Sequence, residues 1–542
     1  MRVMTSRAVD LPVAENPSTE TADELKRTTA PESNTEVYAI HGAEPEVLAY
    51  AMAKYSRSAL TMRESLTEIS SQRAEQFLNT FYFQYGHRSI ADLAHIPFAV
   101  ERLSLLAAIT LVDETRWDGQ ERSTRYQNFR QSGWYTPELS KGARKQYTAA
   151  IEALFKSYEE IGMGMFAALA AAIPQPKEMK SDSYARTIKA RAFDAARYLL
   201  PLATNTSLGQ IVNARTLEMQ VSRLLSSEFG EIRELGTKLR AAAAEPAWNV
   251  LRERLEQMAG EGTVDPAATA EILQDLMPPV KAAPTLVKYA EPSPYAMESR
   301  KELVQAAHEL MGGAPVYPAP VVDLLDDDED LEVEIATSLI YPHCHYSYRQ
   351  LRGAVAALSE TRRNEILKLG TAHRGRHDEL LRAFQAGHGF RFDILMDVGG
   401  FRDMHRHRRC VQLMQPFSDV HGYDEPVCPG QPTLQEAGLA AKYKSAMDAA
   451  LEAYRELSDS DEPEAKQSAQ YLLPLGVRCR SLFKMDFAEA LYISELRSGV
   501  AGHFSYRRVA WEMYRAIAVR HPALAGMFRV QDVNQPVDLL KR

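Results

Sequence analysis

The chain holds 542 residues, 45% of them hydrophobic and 25% charged, with 63 Lys plus Arg against 72 Asp plus Glu for a formal net charge of −9. At roughly 100–200 residues per domain this is two to four domains, enough to build its own core without disulfides or a structural metal. The negative balance argues against a general nucleic-acid binder, so an anionic ligand must be met by a local cluster of arginines.

Residues 1–35 are polar and aperiodic and are expected to form a disordered tail. Residues 45–55 carry apolar side chains at helical spacing, and 74–85 reads as another helix, stopped by Gly86. The stretch 90–112 is apolar with sparse charges, so it is a packed helix, a strand, or one after the other. His95 within it reads as a packed helix histidine. Residues 146–172 and 183–200 are long helical patterns, the second ended by Pro201. Residues 208–244 read as one further helix with Arg and Glu on its polar face. After Met258, Gly and Pro punctuate the chain as far as the acidic run Asp326-Asp-Asp-Glu-Asp330. That run lacks the central glycine of an EF-hand loop and reads as a solvated linker.

The chain then begins a second time. Residues 334–347 echo 48–58, and a helix over 377–386 closed by Gly387-His388 echoes the one closed by Gly86-His87. Ala469-Gln-Tyr-Leu-Leu-Pro-Leu475 echoes Ala196-Arg-Tyr-Leu-Leu-Pro-Leu202. Landmarks of one kind in one order imply an internal duplication. The expected layout is an α+β chain with modules over 36–258 and 331–542, joined by a Pro-rich connector over 259–330.

Three clusters carry candidate chemistry. Met404-His-Arg-His-Arg-Arg409 packs fixed guanidinium charge beside titratable imidazole. His405 and His407 would share a face if extended, but no Cys or carboxylate stands at metal spacing, so no metal site is assigned. A phosphate site and a plain basic patch both fit. In Trp117-Asp-Gly-Gln-Glu-Arg-Ser-Thr-Arg-Tyr-Gln127, Glu121, Ser123 and Arg125 lie on one face if extended, which suits a phosphate and a polar ring edge or a salt-bridged loop. Arg197 sits in an apolar run and, if buried, needs a carboxylate or a ligand phosphate. The four cysteines, Cys344, Cys410, Cys428 and Cys479, form no CxxC pair and stand in no nucleophile setting. No apolar run is long enough to cross a bilayer, and a cytoplasmic location is expected.

Taken together these stretches resemble the flavin-dependent thymidylate synthases, which carry Arg-His-Arg, then Glu-x-Ser-x-Arg-Tyr, Ala-Arg-x-x-Leu-Pro, Asn-Ala-Arg and a later Arg. Here the set is split. The first half keeps Glu121-Arg-Ser-Thr-Arg-Tyr126, Arg197 before Leu-Pro, and Asn213-Ala-Arg215, but has Asp113-Glu-Thr115 in place of Arg-His-Arg. The second keeps Phe401-Arg-Asp-Met-His-Arg-His-Arg408 and Arg497, but has Gln470 in place of Arg197 and Asp486-Phe-Ala488 in place of Asn-Ala-Arg.

The resemblance implies two diverged copies of the family's α/β module, one composite site, and a dimer imitating the family's tetramer. It implies methylation of dUMP with methylenetetrahydrofolate, NADPH and FAD. Arg406, Ser123 and Arg497 would be catalytic. Glu121, Ser123, Arg125, Arg197, Arg402, Asp403, Arg406 and Arg497 would bind the pyrimidine deoxynucleotide. His87, Asn213, Arg215, His388, Arg406, His407 and Arg408 would bind FAD. Asp403 replaces the family's Gln, which keeps two alternatives open: modification of another pyrimidine nucleotide, or nucleotide and flavin binding without turnover. Nucleic-acid and membrane partners are not expected.

Overall fold

The computed structural model describes residues 36, 38–55, 58–68, 88–294, 296–298, 301, 320–324, 330–340, 348–372, 380, 384, 389–535 and 538–540. The expected tail over 1–35, the helix over 74–85, most of that over 377–386, most of the acidic run, His87 and His388 lie outside these residues. The chain divides into a unit ending at Ala43, whose described residues hold no helix or strand, and a unit over Glu44–Arg542. Every helix and strand of the described residues belongs to the second unit.

Its first half opens with α1 (Pro45–Lys54), matching the helical spacing there. Residues 90–112 resolve into both expected elements, one after the other: β1 (His95–Ser104) runs straight into α2 (Leu105–Leu111). Ser104 makes the switch, because its hydroxyl caps the helix by accepting from the Ala107 amide. His95 is an exposed residue at the start of that strand, not a packed helix histidine. The short β2 (Asp118–Glu121) follows, then α3 (Lys141–Ala172) and α4 (Ser181–Ala196). A 3-10 turn over Arg197–Leu199 ends at Pro201.

Residues 208–244 are not one helix. They hold the end of β3 (Asn205–Asn213), then α5 (Ala214–Leu225) and α6 (Gly230–Ala244). Thr206, Leu208, Gln210 and Val212 alternate inward along β3, and Gln210 is buried because the Trp117 indole N–H donates to its side chain at 2.8 Å. Asn213 ends the strand and caps α5 through the Thr216 amide. The sheet order is β1-β3-β2, all antiparallel.

The second half repeats this plan. A connector strand, β4 (Val322–Leu324), adds to β5 (Phe390–Asp397), and α7 (Val398–Met404) follows with Asp397 as its cap. Then come β6 (Val411–Met414), α8 (Ala440–Ser458), α9 (Pro463–Ser468), a 3-10 turn over Ala469–Leu472, β7 (Arg478–Met485), α10 (Phe487–Ser498) and α11 (Phe504–Arg520). The sheet order is β4-β5-β7-β6.

The halves meet about a local pseudo-two-fold at the two leucine-proline segments. Leu202 N donates to Leu473 O and Leu475 N to Leu200 O, each at 3.0 Å, while Ala203 N reaches Tyr471 O and Gly476 N reaches Tyr198 O, each at 2.9 Å. These reciprocal bonds fix register between the halves. Helices α3 and α8 pack beside them, so closely that a Cβ on Gly164 would lie 2.8 Å from a Leu439 methyl. One core runs through both halves and includes Tyr147, Tyr198, Phe401, Tyr443 and Leu473. A second lies within the first half and takes in Ala283, Leu286 and Val287 from the Pro-rich stretch.

Candidate functional site

Where the halves join, α7 of the second half faces β2 and the Arg197 turn of the first. Glu121 stands at the end of β2, and the Arg402 guanidinium on α7 donates to it, both side chains under 10% exposed. Arg406, just past α7, lies 3.9 Å from the other Glu121 oxygen. Arg197, 1% exposed, has its Nη1 3.5 Å from an Asp403 carboxylate oxygen. The requirement for an anion beside a buried Arg197 is therefore met first by the chain itself.

Arg125 follows β2 in a turn and is clasped by Asp194 of α4, through Nε at 2.7 Å and Nη2 at 3.1 Å. It also donates to the Tyr506 hydroxyl at 2.9 Å and to the Ala501 carbonyl at 3.2 Å, both from the second half. Four of its five N–H groups are thus used. The Asp194 carboxylate outweighs burial and keeps this guanidinium charged beyond its ordinary range. Ser123 accepts from the Arg125 amide at 3.2 Å. Arg497 of α10 passes over the same Tyr506 ring, 5.4 Å from its centroid, and its Nε donates to His407 Nε2 at 2.8 Å. Burial pushes His407 below the ordinary histidine range, so the neutral ring accepts at Nε2 and turns Nδ1–H toward Glu489, 3.4 Å away.

His405 and His407 do not share a strand face: α7 ends at Met404 and both lie in the irregular turn after it. Arg408 packs over Trp117 at 5.0 Å, and burial brings its pKa down to about 10. Asp113, on the loop after α2, lies 3.8 Å from His405, and its charge and that of Glu114 act to hold Arg408 protonated. Of the acidic residues standing in place of the first Arg-His-Arg, Asp113 thus faces the second one, while Glu114 accepts from Arg223 Nε at 3.0 Å and Nη2 at 2.8 Å. Ile109, Val112, Trp117, Glu121, Arg402, His405, Arg406 and Arg408 line a narrow cleft with room for little more than one water molecule, about 10 Å³.

The donor set here exceeds its acceptors. Arg197 Nε and Nη2, Arg402 Nε, and Arg408 Nε and Nη2 are buried without a hydrogen-bond partner among the described residues. Buried donors of this kind call for an acceptor-rich ligand.

Glu121, Ser123, Arg125, Arg197, Arg402, Asp403, Arg406, His407, Arg408 and Arg497 are therefore brought into one neighbourhood within a single chain. Asn213 and Arg215 serve locally, the first as the α5 cap and the second paired with Asp92 at 3.1 Å. Asp194, Glu489 and Tyr506 escape a reading of the sequence. Asp194 does stand three residues before Arg197, and Glu489 eight before Arg497, spacings that place each on its arginine's helix face. Cys410 is no nucleophile, since burial pushes its thiol up to about 12. No helix among the described residues is long and apolar enough to cross a membrane.

A tandem α+β chain with one arginine-rich site drawn from both copies is the class of protein these features define. It belongs, as two tandem copies, to the family described as thymidylate synthase complementing protein, the flavin-dependent thymidylate synthases, whose model matches residues 39–246 and again 327–523. The chain is 27% identical over 533 residues to a UPF0159 protein of Chlamydia pneumoniae, covering 91% of each, and 24% identical over 518 residues to one of Thermoplasma acidophilum, covering 89% of this chain and 95% of that protein. It is also 26% identical over 212 residues to a flavin-dependent thymidylate synthase of Clostridium tetani, covering 38% of this chain and 81% of that protein.

Proposed function

We propose that the chain is a flavin-dependent thymidylate synthase: it replaces the C5 hydrogen of dUMP by a methyl group, with methylenetetrahydrofolate as carbon donor and NADPH as reductant. The observation that carries this reading is the set of buried, unpartnered guanidinium N–H groups on Arg197 of the first half and on Arg402 and Arg408 of the second.

Arg197, with two nitrogens lacking a partner, is the principal donor to the nucleotide phosphate. Arg125, nearly saturated, adds fixed charge and one remaining N–H, with Ser123 beside it. Arg497, aimed by neutral His407, and Arg406 polarise the pyrimidine carbonyls and stabilise negative charge developing on the ring. Glu121 orients Arg402 and Arg406.

The small cleft lined by Ile109, Val112 and Trp117 would take only an edge of FAD, for which it offers an apolar wall beside the unpartnered nitrogens of Arg408. Arg406, His407 and Arg408, with His87 or His388, would hold the flavin, while Asn213 is engaged as a helix cap and Arg215 by Asp92. Bound there, it supplies the redox chemistry that the protein's own residues lack.

Self-association into a dimer of four modules is supported by apolar side chains left at matching places in the two halves. Met219 on α5 and Tyr492 on α10, each six residues past its helix cap, are both 50% exposed.

The test is direct. Purified protein should be yellow and release a flavin on denaturation, and should form dTMP with nucleotide-dependent NADPH oxidation. Protein that stays colourless after FAD reconstitution refutes the proposal. Turnover of dCMP in place of dUMP would favour the alternative that Asp403 encourages, another pyrimidine acceptor.

A further inference from the structure

Two carboxylates face the guanidinium groups of the site in different ways. Asp194 grips Arg125 with two bonds, at 2.7 and 3.1 Å, and is structural. Asp403 is attracted by Arg197, Arg125, Arg406 and Arg497, which reach it from four separate segments, and it lies close enough to Tyr506 to act on that phenol. Yet its nearest approach to a cation is a loose 3.5 Å to Arg197, and it accepts no hydrogen bond from a described residue. It is surrounded by positive charge and clasped by none of it.

Meanwhile Arg197 keeps Nε and Nη2 unpartnered while 1% exposed. A single carboxylate at this distance compensates charge without satisfying donors. A phosphate, with three peripheral oxygens, would do both. Of the four guanidinium groups that act on Asp403, Arg125 is committed to Asp194, and those not tightly paired to a carboxylate are Arg197, Arg406 and Arg497. Asp403 supplies one negative charge against these three, leaving an excess suited to a phosphate dianion.

We propose that Asp403 is the resident counter-anion of this cradle: it holds the arginines together before a ligand arrives, and the ligand's phosphate must displace its carboxylate, so that Asp403 sets the affinity for nucleotide. The inference rests on the proposed function, in which the site takes a nucleotide phosphate.

The test uses the full chain and two probes, inorganic phosphate and dUMP, titrated calorimetrically into wild type, Asp403→Asn, Asp403→Ser and Asp403→Glu. Removing one unit of negative charge within a few ångströms of the phosphate should tighten phosphate binding about tenfold or more in the Asn and Ser variants. The Glu variant, which keeps the charge, should show no gain. Phosphate should also raise the melting temperature of the two neutral variants more than that of wild type, which reports binding even where a variant is destabilised. Phosphate affinity unchanged or weaker in both neutral variants overturns the inference, and so does an equal gain in the Glu variant. If the neutral variants gain phosphate affinity while no protein prefers dUMP to phosphate, the inference stands and the thymidylate synthase reading falls. If dUMP is methylated while neutral variants gain nothing, the reverse holds.

Discussion

The ion pair between Arg402 and Glu121 ties the second half to the first at the centre of the site, and its strength can be isolated. At contact distance and an effective dielectric of about 20, the attraction is about 5 kcal/mol. Desolvating both groups consumes much of that, since their side chains are 9% and 7% exposed. Glu121→Gln removes the anion but leaves Arg402 buried, with Arg406 nearby adding repulsion, so the cost should be about 3–5 kcal/mol. Arg402→Met leaves Glu121 with only the looser Arg406 and should cost a similar amount. The double variant buries neither charge of the pair, so its loss should fall short of the sum by about 2 kcal/mol or more. Urea denaturation followed by tryptophan fluorescence measures all three, and the coupling should not change with protein concentration, because the pair closes within one chain. Additive losses, or a coupling that weakens on dilution, would refute the claim that the halves of one chain build this site.

The same geometry fixes the outcome of a mixing assay: Arg125→Ala and Arg406→Ala chains should each lose NADPH oxidation by at least a hundredfold, and mixing them should restore none of it. His407, held neutral in the folded chain by burial, binds a proton more readily once unfolded. Its contribution is therefore unchanged above about pH 6.5 and lost as pH falls, so wild type should lose stability relative to His407→Asn with a limiting slope of about 1.4 kcal/mol per pH unit, read from denaturation at pH 7.5 and 5. A Cβ on Gly400 would stand 2.4 Å from Ser505 Oγ and 2.8 Å from a Met396 methyl, so Gly400→Ala should cost about 1–3 kcal/mol and displace the arginines after α7, seen as weaker dUMP binding. Cys410→Ala should keep dTMP formation, because a thiol pushed up to about 12 is not a nucleophile at neutral pH.

Much of this site was legible because arginines next to Leu-Pro, in Ser-x-Arg-Tyr and in a His-Arg run are distributed one set to each half. Their complementary losses point to convergence on the strength of the sequence alone. The strand β3 was not legible, and the reason is chemical. Its inward positions alternate Thr206, Leu208, Gln210 and Val212, so half of the buried face is polar and the period-two signal disappears. Gln210 is tolerated inside only because Trp117 and Gln220, distant in sequence, satisfy it. Asp194, Glu489 and Tyr506 were hidden for a related reason: each has an ordinary place on a helix, and its role comes from an arginine or histidine that only tertiary packing brings near. The histidine run misled by its alternation, which imitates an extended segment where the chain forms a turn.

At the second pseudo-site other residues stand where the first has arginines. Matched on the capping residues Ser104 and Asp397, Arg406, His407 and Arg408 correspond to Asp113, Glu114 and Thr115. Matched on the caps Asn213 and Asp486, Arg197 corresponds to Gln470 and Arg497 to Leu224, eleven residues beyond each cap. Leu224 is fully buried in the first half's own core, Asp113 turns its charge toward His405 and Arg408, and Glu114 is paired with Arg223. Duplication within one chain removes the symmetry that would force both sites to be alike, so one half can supply carboxylates where the other supplies arginines. Asp113 is therefore part of what holds Arg408 charged, which ties a replacement in one half to an arginine of the other.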